Sequence, residues 1–372
     1  MTAPGKPTHP FPLLCAIVRA WLRPDEAAGV PRGLSDRPPA ELAALVRAAG
    51  HHMVTPALAA TLEAQGQLAG LPADFARILR AARHYNRKRN AAYSAALEET
   101  CLLLNGIGIE PVLLKGANRL VDDLYPDTSY RFLNDLDLLV PADRAAEAHA
   151  LLRGSGYRAP FPFAPPHHLP LLEHPLLPIA IELHHQPLPL PADRVLAAAT
   201  MAGSAERHAF RSAQVRLPAP FEQIVHLIAA AQIQDSHRLT GTAPLRELLE
   251  AALLLARLGP DGVPMVIERF RQAGFGLSAR LFFARLAATL GLGVASPEPA
   301  GLAPALINQW ARLQDRSDIA SAIGRMQRLF GRYALDLQWF ARVPQYRARL
   351  IADLGTRSFY RRKIASVVRT WR

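Results

Sequence analysis

The chain is short of cysteine, of lysine and of long apolar runs, and each shortage excludes something. Its two cysteines, Cys15 and Cys101, stand far apart with no CxxC spacing. That argues against a disulfide or zinc framework and fits a reducing, cytoplasmic setting. No uninterrupted apolar run approaches the roughly 20 residues of a membrane span. The richest stretches, around Leu248 to Leu258 and Leu277 to Leu292, are broken by Glu250, Arg257, Arg280 and Arg285. Pro10 and Pro12 beside the apolar patch Leu13 to Val18 make a poor signal peptide. Lysine occurs four times against 39 arginines, so each lysine position invites the question of why a compact point charge is used instead of a planar fork.

What is present is a globular composition. Half of the 372 residues are apolar, enough for a large core in two domains or in one domain with extensions. The net charge is +12 and the pI about 10.3. Part of that excess is concentrated: residues 342–372 carry nine basic side chains against one acid, Asp353. A solvated helix face in an arginine-biased chain accounts for it, with RNA, a phosphorylated substrate or a membrane surface as the competing readings.

Apolar spacing predicts helices over 40–50, 53–65 and 73–104, where Phe75, Ile78, Leu79 and Ala82 share a face. Asn105-Gly106 is a stop, and the pattern then changes. Pro111 to Leu114 reads as a short buried strand, Ala117 to Leu124 as a helix, and Phe132 to Val140 as a second strand. A helix follows over 142–153, then a proline-rich loop over 159–178 and a strand over Ile179 to His185. Helices return over 219–233, 243–258, 261–273, 276–290, 301–314 and 318–340. The expected architecture is therefore mixed α/β (α+β). An N-terminal helical region (1–104) precedes a small α/β core (105–215), which is followed by a larger C-terminal helical domain (216–340) and a basic tail (341–372).

The chemistry concentrates at Asp135-Leu136-Asp137. Strand side chains alternate faces, so both carboxylates point the same way, roughly 6.6 Å apart along the backbone. Like charges on a half-buried strand repel and lose solvation, and a divalent cation removes both penalties. Glu182, opposite the apolar Ile181 and Leu183 on a later strand, is the natural third ligand. Three carboxylates of this kind suit two metal ions about 3.5–4 Å apart. Gly116, between a strand and a helix, lets a phosphate approach the backbone, and Lys115 beside it supplies charge.

Leu113-Leu114-Lys115-Gly116-Ala117, Leu124-Tyr125-Pro126, Arg131-x-x-x-Asp135-Leu136-Asp137-Leu138-Leu139-Val140, Gly156-Tyr157 and Ile181-Glu182-Leu183-His184 occur in that order. In this set the chain resembles the DNA polymerase β-like nucleotidyltransferase superfamily, and most of all its bacterial branch of uncharacterised nucleotidyltransferases. The resemblance covers roughly 100–250. It implies a transferase (EC 2.7.7-type) dependent on Mg²⁺ or Mn²⁺. Such an enzyme moves a nucleoside monophosphate, or another phosphoryl-linked group, from an NTP such as ATP to an acceptor hydroxyl or phosphate on a small molecule, peptide or protein. It implies Asp135, Asp137 and Glu182 as metal ligands, with Lys115, Gly116, Ala117, Asn118 and Arg131 around the nucleotide phosphates. His184, His226 and Arg246 are candidates for acceptor contact or for supporting the ligands. The superfamily's Gly-Ser pair is Gly116-Ala117 here, which leaves Asn118 as the candidate to replace the missing hydroxyl.

Competing readings are specific. Asp137 would pair with Arg131 at the surface, Lys115 would extend from a strand end, and Glu182 would pair with an arginine. His167, His168, His174, His184 and His185 cluster, yet adjacent pairs lack chelating spacing for zinc. His185 is expected on the face opposite His184. The alternative function is a non-catalytic nucleotide sensor, or an RNA- or membrane-surface-binding helical protein, built on the same core.

Overall fold

The protein is described here from a computed structural model, in which residues 9–23, 33–161, 164–292 and 301–354 are placed. The architecture is mixed α/β: one six-stranded mixed sheet wrapped by helices. Four helices come first: α1 (Pro10–Leu22), α2 (Pro39–His51), α3 (Thr55–Ala64) and the long α4 (Ala73–Gly106). The α/β stretch contains β1 (Val112–Leu114), α5 (Lys115–Asn118), β2 (Asp135–Leu139), α6 (Ala145–Gly154), β3 (Leu172–Glu173), β4 (Ala180–His184), α7 (Ala198–Gly203), β5 (Glu206–Phe210) and β6 (Ala213–Leu217). Helices then return as α8 (Pro220–Ala229), α9 (Leu245–Leu258), α10 (Gly262–Gln272), α11 (Gly276–Leu290), α12 (Leu302–Gln314), α13 (Asp318–Arg342) and α14 (Pro344–Leu354).

The strands lie in the order β3-β4-β2-β1-β6-β5. β2 is central, antiparallel to β1 and parallel to β4. Strand alternation sends its side chains into two different cores. Leu113, Leu136, Leu138, Ile181 and Leu183 pack with Leu97 and Leu104 of α4 and Leu152 of α6. Val112, Leu114 and Leu139 on the opposite face join a larger core containing Ile224 of α8 and Leu248 of α9. That larger core also holds Leu14, Leu45 and Leu58 of α1–α3, so the helices before and after the sheet are packed together. The helix α4 serves both: Phe75 and Leu79 enter the larger core, whereas Tyr93, Leu97, Cys101 and Leu104 cover the sheet. It ends where Gly108 adopts φ 74° and Ile109 N–H returns to the Leu104 carbonyl (2.9 Å), an αL-type cap.

Several expected elements differ. The helix over Ala117 to Leu124 is only the single turn α5, because Arg119 at its end is drawn into buried ion pairs with Asp122 and Glu250. The second strand begins at Asp135 instead of Phe132. Asn86 and Asn90 of α4 donate to the carbonyls of Ser129 and Arg131, which holds the preceding segment as a loop. Residues 142–144 form a turn, so α6 starts at Ala145. The β5–β6 hairpin was not expected, since Glu206, Arg207, His208 and Ala209 are all exposed on the edge strand and show no alternation. The reversal itself uses Arg211 at φ 54° without a glycine signal. α8 ends four residues before the expected boundary and passes into a π-helical turn over Ala230–Gln234. The basic tail begins in the last residues of α13 and continues as α14, and residues 355–372 lie outside the described residues.

The loop carrying Tyr125 to Tyr130 is pinned by ring stacking of Trp21 on Tyr125 and Tyr130, with centroids 6.1 and 5.3 Å apart. Arg83 also binds Asp127 at 3.0 Å. Because Leu138 is fully buried between β1 and β4, Leu138→Ala should destabilise the fold by about 2–5 kcal/mol. Urea denaturation would show this as a lowered midpoint, and an unchanged midpoint would contradict the assigned core.

Candidate active site

The sheet register assembles the acidic group. On β2, Asp137 stands opposite Leu114 of β1 on one side and Glu182 of β4 on the other. The residue after Leu114 is Lys115, so the end of β1 delivers an ammonium next to the carboxylate. To do so Lys115 takes φ 46°, a left-handed conformation that costs a residue with a Cβ about 1–2 kcal/mol. The compensation is direct: Lys115 Nζ donates to Asp137 Oδ1 at 2.7 Å. His184, two residues beyond Glu182 on the same face, donates from Nε2 to the same oxygen at 2.8 Å and lies 3.5 Å from Glu182 Oε2.

Asp137 is only 1% exposed, and His184 is fully buried. Burial opposes the charge on Asp137, but Lys115 and then His184 outweigh it and hold its carboxyl far below the carboxylate range. Asp135 has no such hydrogen-bonded cation among the described residues, and Lys115 and Arg131 act on it only from a distance. Burial, and next the charge of Asp137, push its carboxyl up to about 7. Burial likewise works against the Lys115 ammonium, yet Asp137, Glu182 and Asp135 keep it charged. Among the described residues, Asp137, Glu182 and His184 form a group able to hold a metal ion, with one ligand atom of each within 4.8 Å of the others. Asp135 is outside that group. His167 and His168 flank it, with ring centroids 5.3 and 5.1 Å from that of His184. His174 lies elsewhere, beside Glu99.

With this geometry in view, one comparison is decisive. The family described as uncharacterised nucleotidyltransferase matches residues 38–291. The chain belongs to this family. No curated protein matches it. Among solved structures, the antibiotic-resistance factor ANT(2'')-Ia is similar at 14% identity, over 49% of this chain and 92% of that one, with a TM-score of 0.37. A likeness of that size carries no functional weight.

In this nucleotidyltransferase-family chain a cleft of about 250 Å³ opens beside the acidic group. Lys115, Gly116, Asn118, Arg131 and Asp135 line one part, and His226, Arg246 and residues of the π-helical turn line another. Ala117 does not reach it: the side chain is fully buried in the core beneath the sheet. Asn118 does line it, and its Oδ1 is buried without a hydrogen-bond partner among the described residues. Gly116 has close neighbours, because an added Cβ would stand 3.4 Å from Leu133 and 3.7 Å from Arg131 Nη2. His226 donates through Nε2 to the Pro187 carbonyl at 2.9 Å, and burial lowers its pKa to about 3, so the ring is neutral. Arg246 is paired with Glu247.

Arg131 is not paired with Asp137. It binds Glu250 Oε2 through Nε at 2.8 Å, while Arg119 binds the other oxygen at the same distance. Gln223 of α8 accepts from Arg119 at 2.6 Å. Glu250 of α9 therefore fixes two arginines that line the cleft. Arg119, Gln223 and His168 were absent from the sequence-derived site. Two of them carried a signal: Arg119 as a charge four residues after Lys115, and His168 as a member of the histidine cluster around His184.

Burial would raise the Glu250 carboxyl, but Arg131 and then Arg119 outweigh it and hold it at about 2 against an ordinary 4.5. A depressed carboxyl contributes stability above its unfolded value and loses it as pH falls through the folded value. Unfolding free energy should accordingly drop between pH 4.5 and 2, with a shallower drop in Glu250→Gln. Glu250→Ala leaves the buried Arg131 guanidinium without its carboxylate and Arg119 with Asp122 alone, and should cost about 3–5 kcal/mol at neutral pH. Denaturant titrations at pH 7 and pH 3 check both effects.

Proposed function

We propose that the protein is a divalent-cation-dependent nucleotidyltransferase. It would transfer a nucleoside monophosphate from an NTP to a hydroxyl or phosphate of a small-molecule, peptide or protein acceptor and release pyrophosphate. The observation that carries this reading is Asp137 opposite Glu182 across adjacent parallel strands, with Lys115, which lines the cleft, bonded to Asp137. Family membership supports the reaction class.

Asp135, Asp137 and Glu182 would hold Mg²⁺ or Mn²⁺. The donor set fits: oxygen ligands suit these ions. The buried Asp137 charge and the raised Asp135 carboxyl both favour added positive charge. When bound, the cation would neutralise phosphate charge and make an attacking oxygen more acidic. Lys115 supplies a compact second charge at the same rim. Gly116 lets the backbone approach the phosphates, with Asn118 and Arg131 beside it, and Glu250 keeps the Arg131 guanidinium oriented. The part of the cleft around His226 and Arg246 is left for the acceptor.

NTP with Mg²⁺ should raise the unfolding temperature more than NTP alone. At a ligand concentration one hundred times Kd the gain is about 2.7 kcal/mol. Asp137→Ala should abolish the metal-dependent part and the release of labelled pyrophosphate. If Asp135→Ala and Asp137→Ala both leave nucleotide and metal binding unchanged, the assignment is wrong.

A further inference from the structure

We propose that His184 is a direct nitrogen ligand of the divalent cation, so that the site takes an ion of the Mn²⁺ class ahead of Mg²⁺. This rests on the carboxylate reading above and specifies which ion those carboxylates share.

The ligand atoms are spaced as neighbours around one ion. Bonds of about 2.1 Å put adjacent ligands roughly 3.0 Å apart at right angles and roughly 3.4 Å apart at tetrahedral angles. His184 Nε2 is 2.8 Å from Asp137 Oδ1 and 3.5 Å from Glu182 Oε2. The ring is fully buried, and its far nitrogen, Nδ1, has no hydrogen-bond partner among the described residues. What anchors the imidazole is therefore the nitrogen aimed at the two carboxylates. In the ion-free arrangement Nε2 carries the hydrogen facing Asp137. An ion in that position requires the neutral tautomer with its hydrogen on Nδ1.

The donor set then decides between ions. Mg²⁺ demands near-ideal octahedral oxygen coordination and keeps several waters, whereas an imidazole nitrogen suits ions further along the first transition series. The side of the site around Glu182 is walled by imidazole. His168 donates from Nδ1 to the Leu169 carbonyl at 2.6 Å, which fixes its ring, and its Nε2 lies 3.7 Å from Glu182 Oε2. His167 packs against both other rings. Asp137 and Glu182 offer carboxylate oxygen, and the adjacent β4 position adds nitrogen.

The test adds substoichiometric Mn²⁺ to the full chain and reads pulsed electron paramagnetic resonance for coupling to ¹⁴N. Competition with Mg²⁺ is followed through the free-Mn²⁺ signal. The native protein should show imidazole nitrogen coupling and prefer Mn²⁺ by tenfold or more. His184→Gln should lose the coupling and weaken Mn²⁺ by at least the ~10–100-fold that loss of an outer-sphere partner costs, while Mg²⁺ binding changes less. Bound Mn²⁺ without nitrogen coupling in the native protein overturns the inference and leaves the carboxylate site standing. Coupling that persists in His184→Gln overturns it as well, since the nitrogen then comes from another ring. Failure of both ions to bind, together with no effect of Asp137→Asn, defeats the carboxylate site itself.

Discussion

The rest of the site follows from burying one carboxylate at the centre of a sheet. Asp137 has neighbouring strands on both sides and a core on each face, so water cannot solvate its charge. Stripping a carboxylate of water costs several kcal/mol unless partners replace it. Lys115 on one side and His184 on the other are those partners, bonded to the same oxygen. The left-handed turn at Lys115 and the register that sets Asp137 opposite Glu182 are the backbone consequences. Removing water here also produces a place where a cation is worth more than it would be at the surface.

A second buried ionic group ties the helices to this sheet. Glu250 reaches from α9 to Arg119 and Arg131, both of which lie between Lys115 and Asp137 in sequence. The cleft is consequently bounded by elements from two packing cores that share a polar seam. Asn86 and Asn90 fasten the other side of the same loop by donating to its backbone carbonyls. The loop between α5 and β2 owes its order to these side chains, because few of its backbone groups find partners in regular structure.

Much of the fold was legible where periodicity was strong. α2, α3, α4 and α9 to α13 fall within a few residues of their expected limits, because their apolar residues recur at helical spacing. β4 was legible because Ile179, Ile181 and Leu183 alternate with Ala180, Glu182 and His184. The hairpin of β5 and β6 was hidden, because an edge strand exposed along most of its length needs no alternation. The short α5 was overextended, because nothing local reveals that Arg119 leaves the helix pattern to meet a carboxylate 131 residues away. The π-helical turn after α8 was likewise invisible, as the stretch 219–233 is too short past Ala229 for local spacing to separate one helical form from another.

By itself, the sequence determined which acidic-strand side chains share a face. A carboxylate pair two residues apart on a strand must share a face, and Glu182 and His184 must share one on theirs. It also singled out Lys115 as an uncommon ammonium in an arginine-rich chain. Only the tertiary structure decided which of these meet. Strand order and register set Asp137 against Glu182, placed Lys115 and His184 on one oxygen and left Asp135 at the edge of the group. The burial of Ala117, and the capture of Arg131 by Glu250 instead of by an aspartate, were decided there too. The physical reason is that alternation along a strand is local, whereas pairing between strands and burial against helices depend on contacts made by residues far apart in the chain.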